Sequence, residues 1–165
     1  MFKYVLITSL IIVFISCRDS KKTSLKSQKN DVEKTDNVIR DTNGWVIMNE
    51  IGVKDFLNEL KIRENEQKKL NILSTLGEAP LDWLNIDDLE FLISQIESEE
   101  KAKCVMRAIS SHIPNPENIT IGDQAISILE SYRRNEQYPN GLTICGKYDA
   151  GKVKEIRTWW AEKKR

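Results

Sequence analysis

The chain has 165 residues, with 25 Lys and Arg balanced by 25 Asp and Glu and a single His. That balance excludes a chain-wide basic field for nucleic acid. A hydrophobic content of 40% excludes a wholly disordered polymer and is enough for one core.

The first residues carry Lys3, an apolar run from Tyr4 to Ile15, and then Ser16-Cys17. About a dozen apolar residues fall short of the roughly 20 that a membrane-spanning helix needs. A basic start, an apolar middle and a small residue at the cut make a secretory signal instead. Phe14-Ile15-Ser16-Cys17 resembles the bacterial lipoprotein signal, with Phe14 where Leu is usual. The resemblance implies cleavage before Cys17, a diacylglycerol thioether on Cys17 and an acylated amino group. Several acyl chains meet the two-signal condition for a stable anchor. Arg18 follows the anchor, not the Asp that favours inner-membrane retention in enteric bacteria, so the outer membrane is the expected address. The predicted organisation is a signal peptide over 1–16, a lipid-anchored flexible linker over 17–44 and a helical domain over 45–165.

The linker holds Lys21, Lys22, Lys26, Lys29 and Lys34 among small polar residues, and Asn43-Gly44 is a turn signal that closes it. Beyond it the charge is graded. Residues 45–151 carry 11 basic and 18 acidic side chains, a net of −7, whereas residues 152–165 carry six and two, a net of +4. The acidic body reads as a solvated surface or as a face for a basic partner.

The domain reads as six helices. Their apolar faces are Val53-Phe56-Leu57-Leu60, Leu70-Leu73-Leu76, Ile86-Leu89-Ile93-Ile96, Ala102-Val105-Met106-Ile109-Ile113, Ile121-Ala125-Ile128-Leu129-Tyr132 and Val153-Ile156-Trp160. Asn85, Thr120 and Asp149 are placed as N-caps, Gly77 and Pro80 stop the second helix, and Pro114 and Pro116 stop the fourth. The expected fold is therefore all-α, a small array or bundle of three αα-hairpins. Val53-Lys54-Asp55, Ile86-Asp87-Asp88 and Ile121-Gly122-Asp123 start alternate helices at spacings of 33 and 35 residues. On those starts Leu84–Trp160 resembles a short HEAT-type helical repeat; an irregular bundle with Asp-capped helices is the other reading.

With Cys17 acylated, Cys104 and Cys145 remain, and one disulfide between them is the simplest pairing in an oxidising compartment. It would close a loop of about forty residues and stabilise by roughly 3–4 kcal/mol on the chain-entropy argument. A buried free thiol at Cys104 is the alternative. Gly141-Leu142-Thr143-Ile144-Cys145-Gly146-Lys147 matches the start of a phosphate-binding loop, but Tyr148 stands where Ser or Thr would hold Mg²⁺. His112 reads as a cation at a helix end. Asp82, Asp87, Asp88, Glu90, Glu97, Glu99 and Glu100 read as capping and solvated residues, not paired catalytic acids.

No catalytic residue, metal or cofactor is expected. Trp159, Trp160, Tyr138 and Tyr148 are the candidate partner contacts, and the two indoles beside Arg157 and Lys163 could form a hot spot for a protein partner. One of Trp159 and Trp160 should face the core and the other the surface. The expected function is a lipid-anchored envelope module that binds another protein, an immunity-type inhibitor being one concrete form. An envelope enzyme using Cys145 or the acidic cluster, and a structural lipoprotein, are the competing readings; no nucleic-acid partner is expected.

Overall fold

The computed structural model describes residues 33–35, 38–63, 70–111, 113 and 118–165. Within them six short strands form one mixed sheet in chain order. Strands β1 (Glu33–Thr35), β2 (Val38–Arg40) and β3 (Val46–Ile47) form antiparallel neighbours. Strands β3, β4 (Ile72–Leu76) and β5 (Cys104–Arg107) are parallel, and β6 (Thr143–Ile144) returns antiparallel to β5. The helices are α1 (Val53–Glu59), α2 (Ile86–Gln95), α3 (Ile121–Arg133) and α4 (Ala150–Lys163).

The all-α expectation is thereby overturned: this is an α/β fold with a mixed sheet, not three αα-hairpins or a helical repeat. Four of the six expected helices are present. The second, around Leu70-Leu73-Leu76, is instead β4, and the fourth, around Ala102–Ile113, contributes β5. The physical reason is length: in strands of four or five residues no period can declare itself, so the Leu70-Leu73-Leu76 spacing and the apolar run Cys104-Val105-Met106 read equally as turns of a buried helix. The segment read as tether also contributes Val38–Arg40 to the sheet, with Val38 buried. The folded body therefore begins before residue 45. The Asn43-Gly44 turn lies inside the β2–β3 hairpin: the Asp41 carboxylate accepts from the Asn43 and Trp45 amides, and Gly44 takes φ +77°. Cys17 and the signal segment lie outside the described residues.

Two βαβ crossovers, β3-α1-β4 and β4-α2-β5, carry the chain across the sheet in one direction. Crossovers of one hand put α1 and α2 on the same face. Leu73 and Thr75 of β4, Val46 of β3 and Val105 of β5 are buried on one face, and the three apolar ones share a core cluster with Phe56, Leu57, Leu89 and Leu92. The other face of β4 is only half covered at Ile72 and Ser74. Asn85 caps α2 and Thr120 caps α3, each in a capping box with the Asp three residues on, and Asp149 caps α4.

Helix α3 holds the layers together. Every residue from Ile121 to Ser131 is buried, five of them polar or charged. The Asp123 carboxylate accepts from the Thr120 amide and hydroxyl and from the Tyr148 amide. The Gln124 amide donates to the Lys103 carbonyl at 2.8 Å and the Ile144 carbonyl at 3.4 Å, and accepts from the Tyr138 hydroxyl. One side chain thus ties the chain entering β5, strand β6 and the segment before β6 to the same helix. The Ser131 hydroxyl donates back to the Ser127 carbonyl.

The first turn of α3 runs against the chain leaving α2, where the Gly122 amide donates to the Ser98 carbonyl. A Cβ on Gly122 would sit 2.7 Å from the Ile96 carbonyl oxygen and 2.9 Å from that of Ser98. Those neighbours are backbone and have no rotamer through which to move away. Gly122→Ala is expected to lower unfolding stability by about 1–3 kcal/mol through overpacking. Urea denaturation would register this as a lower midpoint at unchanged slope.

Candidate functional site

Helices α3 and α4 meet along a charged seam. Glu130, almost fully buried, is approached by Arg133, by Arg134 at 3.3 Å and by Lys152 at 3.2 Å. Glu155, one turn into α4, pairs with Arg133 at 2.8 Å and Lys152 at 2.9 Å. These contacts shift the groups consistently. Burial alone would lower the Arg133 pKa, but the hydrogen bond to Glu155 and the charge of Glu130 outweigh it and raise it. The Glu155 hydrogen bond raises Lys152 above its ordinary value against partial desolvation. The Lys152 and Arg133 hydrogen bonds hold Glu155 below its ordinary value.

Beside the seam lies an aromatic cluster. Tyr132 of α3 and Trp159 of α4 meet edge-to-face with centroids 6.3 Å apart. The Lys163 ammonium stands 5.0 Å from the Tyr132 ring centre and 5.9 Å from that of Trp159, and the Arg133 guanidinium lies 5.3 Å from the Trp159 ring. A hollow of about 250 Å³ opens there, walled by these four side chains together with Leu81 and Glu136. Leu81 is exposed at its rim. Two half-buried rings with cations against them and an exposed leucine at the rim have the anatomy of a protein-binding hot spot.

Of the residues singled out from sequence, Trp159 lies at this hollow, half-buried. Trp160 is in the core at 7% exposure, with the Lys164 ammonium 5.2 Å from its ring. Arg157 is directed elsewhere, paired with Glu97 at 2.7 Å. Tyr138 is buried against Phe56 and stacked on Trp83, so it offers no surface to a partner; burial raises its pKa. Tyr148 is half-buried, its hydroxyl 3.3 Å from that of Ser127 and its amide on Asp123. The four aromatics are therefore not one site. Cys104 and Cys145 are joined in a disulfide, their Cα atoms 4.9 Å apart. Thr143–Ile144, in the stretch resembling a phosphate loop, is strand β6. His112 lies outside the described residues.

Of the residues around the hollow, Lys163 is legible from sequence as a cation beside the indoles, whereas Tyr132, Arg133 and Leu81 are not. Tyr132 belongs to the apolar stripe of α3 and Leu81 lies in the turn before α2; only tertiary packing brings them to Trp159. Other hollows open elsewhere, including one of about 490 Å³ among Arg40, Trp45, Glu59 and Ile72. Among the described residues no group of three or more His, Cys, Asp and Glu could hold a metal ion. In comparisons with known proteins, no family model, no curated protein and no solved structure matches the chain.

The seam has a definite pH signature. Glu155 sits below its ordinary value of 4.5, so its contribution is present above that pH and lost as pH falls through the folded value. Lys152 sits above its ordinary 10.5, so its contribution is present below that pH and lost only on the far alkaline side. Glu155→Gln should therefore narrow its melting-temperature gap to the wild type as pH drops below 4.5, while the gap stays constant through neutrality. Thermal melts of both proteins from pH 3 to 8 check this.

Proposed function

We propose that this protein is a lipid-anchored interaction module of the bacterial envelope, held by Cys17, that binds another protein through the α3–α4 face and performs no chemistry of its own. The observation that carries the reading is the Tyr132–Trp159 pair with Arg133 and Lys163 over its rings at an open hollow. The occupant it suits is an acidic segment with an apolar anchor. Its carboxylates would meet the chain's last fourteen residues, 152–165, which carry a net charge of +4, and its anchor would meet Leu81 and Trp159. The anchor itself is argued from Phe14-Ile15-Ser16-Cys17. An immunity-type inhibitor is one form such a module takes, because toxin neutralisation needs only a tight, charge-steered face at the membrane.

The reading separates two adjacent residues. Trp159→Ala should weaken capture of a stoichiometric partner by about 2 kcal/mol or more, roughly thirtyfold in Kd, and leave the melting temperature nearly unchanged. Trp160→Ala should instead destabilise the fold by about 3–5 kcal/mol as a core truncation. Binding isotherms and melts on both variants decide it, and binding should weaken as salt rises. Equal loss of stability from both, or a partner indifferent to Trp159, would remove this face from the argument.

A further inference from the structure

Cys104 and Cys145 are bonded across the last pair of strands. Val105 faces Ile144 and Met106 faces Thr143, so the same register sets Cys104 directly opposite Cys145. The Arg107 amide donates to the Leu142 carbonyl, which makes every second pair hydrogen-bonded and places the two cysteines at a non-hydrogen-bonded pair. At such pairs the Cα atoms approach closely enough for a direct bridge. The two sulfurs are not equally placed. Cys104 is fully buried, whereas Cys145 is half-buried and lines a cavity of about 220 Å³ with Ser127, Glu130, Arg134, Asn140 and Tyr148. Strand β6 is a two-residue edge, paired on one side only.

We propose that this disulfide is a thiol-exchange site, attacked only at Cys145 by a small thiol entering that cavity. In the step the thiolate of the incoming thiol bonds to Cys145 Sγ. The Cys104–Cys145 bond breaks and its electron pair goes to Cys104 Sγ, which takes up the proton the incoming thiol gave up. The products are a mixed disulfide on Cys145 and a buried Cys104 thiol. A second thiol can resolve the mixed disulfide to a dithiol, and attack by Cys104 restores the bridge. Opening it leaves β6 held by its short ladder and the Gln124 contact to Ile144. Downstream the release stops at Tyr148, whose amide is fixed on Asp123 and whose hydroxyl meets Ser127. The device thus loosens one sheet edge without disturbing α4, and it is independent of the docking face on Trp159.

The test uses the whole protein and reduced glutathione as the probe, followed by acid quench, alkylation and peptide mass spectrometry. The expected result is glutathione on Cys145 and alkyl label on Cys104, with the adduct favouring Cys145 by at least about tenfold. Cys104→Ser, which has no bridge to open, is treated instead with oxidised glutathione: its Cys145 thiolate should displace one glutathione thiol and keep the adduct, because the resolving thiol is gone. Cys145→Ala should leave Cys104 unlabelled until the protein is unfolded, which controls for a variant that folds poorly. Adducts divided equally between the cysteines would overturn the proposal. So would modification whose rate tracks global unfolding in urea, or full alkylation of both thiols before any reductant is added.

Discussion

The fold depends on the burial of a helix that is not purely apolar. Helix α3 is enclosed from Ile121 to Ser131, and it carries Asp123, Gln124, Ser127, Glu130 and Ser131 into that enclosure. A buried polar group without a partner costs about 1–3 kcal/mol, more if charged. Each of these has a partner, and the partners lie on different elements: the chain before β5, strand β6, the Tyr138 segment, the loop before α4, and α4 itself. Apolar packing alone would tolerate small rotations of α3 against the sheet. The Gln124 amide, reaching carbonyls of two neighbouring segments, tolerates few.

The same constraint sets the surface features. Once Asp123 fixes the Tyr148 amide, the start of α4 at Asp149 is fixed too. Glu130 then draws Lys152 onto the seam, which orients α4 so that Ile156 and Trp160 enter the core and Trp159 rests on Tyr132. The basic end of the chain is thereby displayed beside an aromatic pair instead of being scattered around a free helix. The opposite end of the polar network touches β6, where the disulfide spans the sheet edge. The Tyr132–Trp159 cluster and the disulfide both border one buried helix.

Much of this was legible residue by residue. The four helices carry a continuous 3.6-residue pattern, and Asn85, Thr120 and Asp149 act as caps where a short polar side chain precedes such a pattern. Cap chemistry is local, so local sequence specifies it. The strands were not legible. Ile72–Leu76 contains the Leu73-Leu76 spacing of a helical face, and Cys104-Val105-Met106 is an unbroken apolar run with no alternation. Runs this short do not separate a period of two from one of 3.6, and in β4 the buried Thr75 breaks the apolar alternation that its burial pattern follows. The polar residues of α3 misled in the other direction: Asp123 and Glu130 look like a solvated stripe until their partners, at Tyr148 and Lys152, are known.

What sequence alone settled, then, is what depends on neighbours within one turn of the chain: the caps of α2, α3 and α4 and the polarity of the last helix. The tertiary structure decided what depends on residues far apart: that two apolar runs are strands, that Cys104 and Cys145 face each other across β5 and β6, and that Tyr132 meets Trp159. The division follows from the range of the forces involved. Capping and helical periodicity act over three or four residues, whereas strand pairing and the burial of a polar helix are fixed only when distant segments supply the missing hydrogen-bond partners.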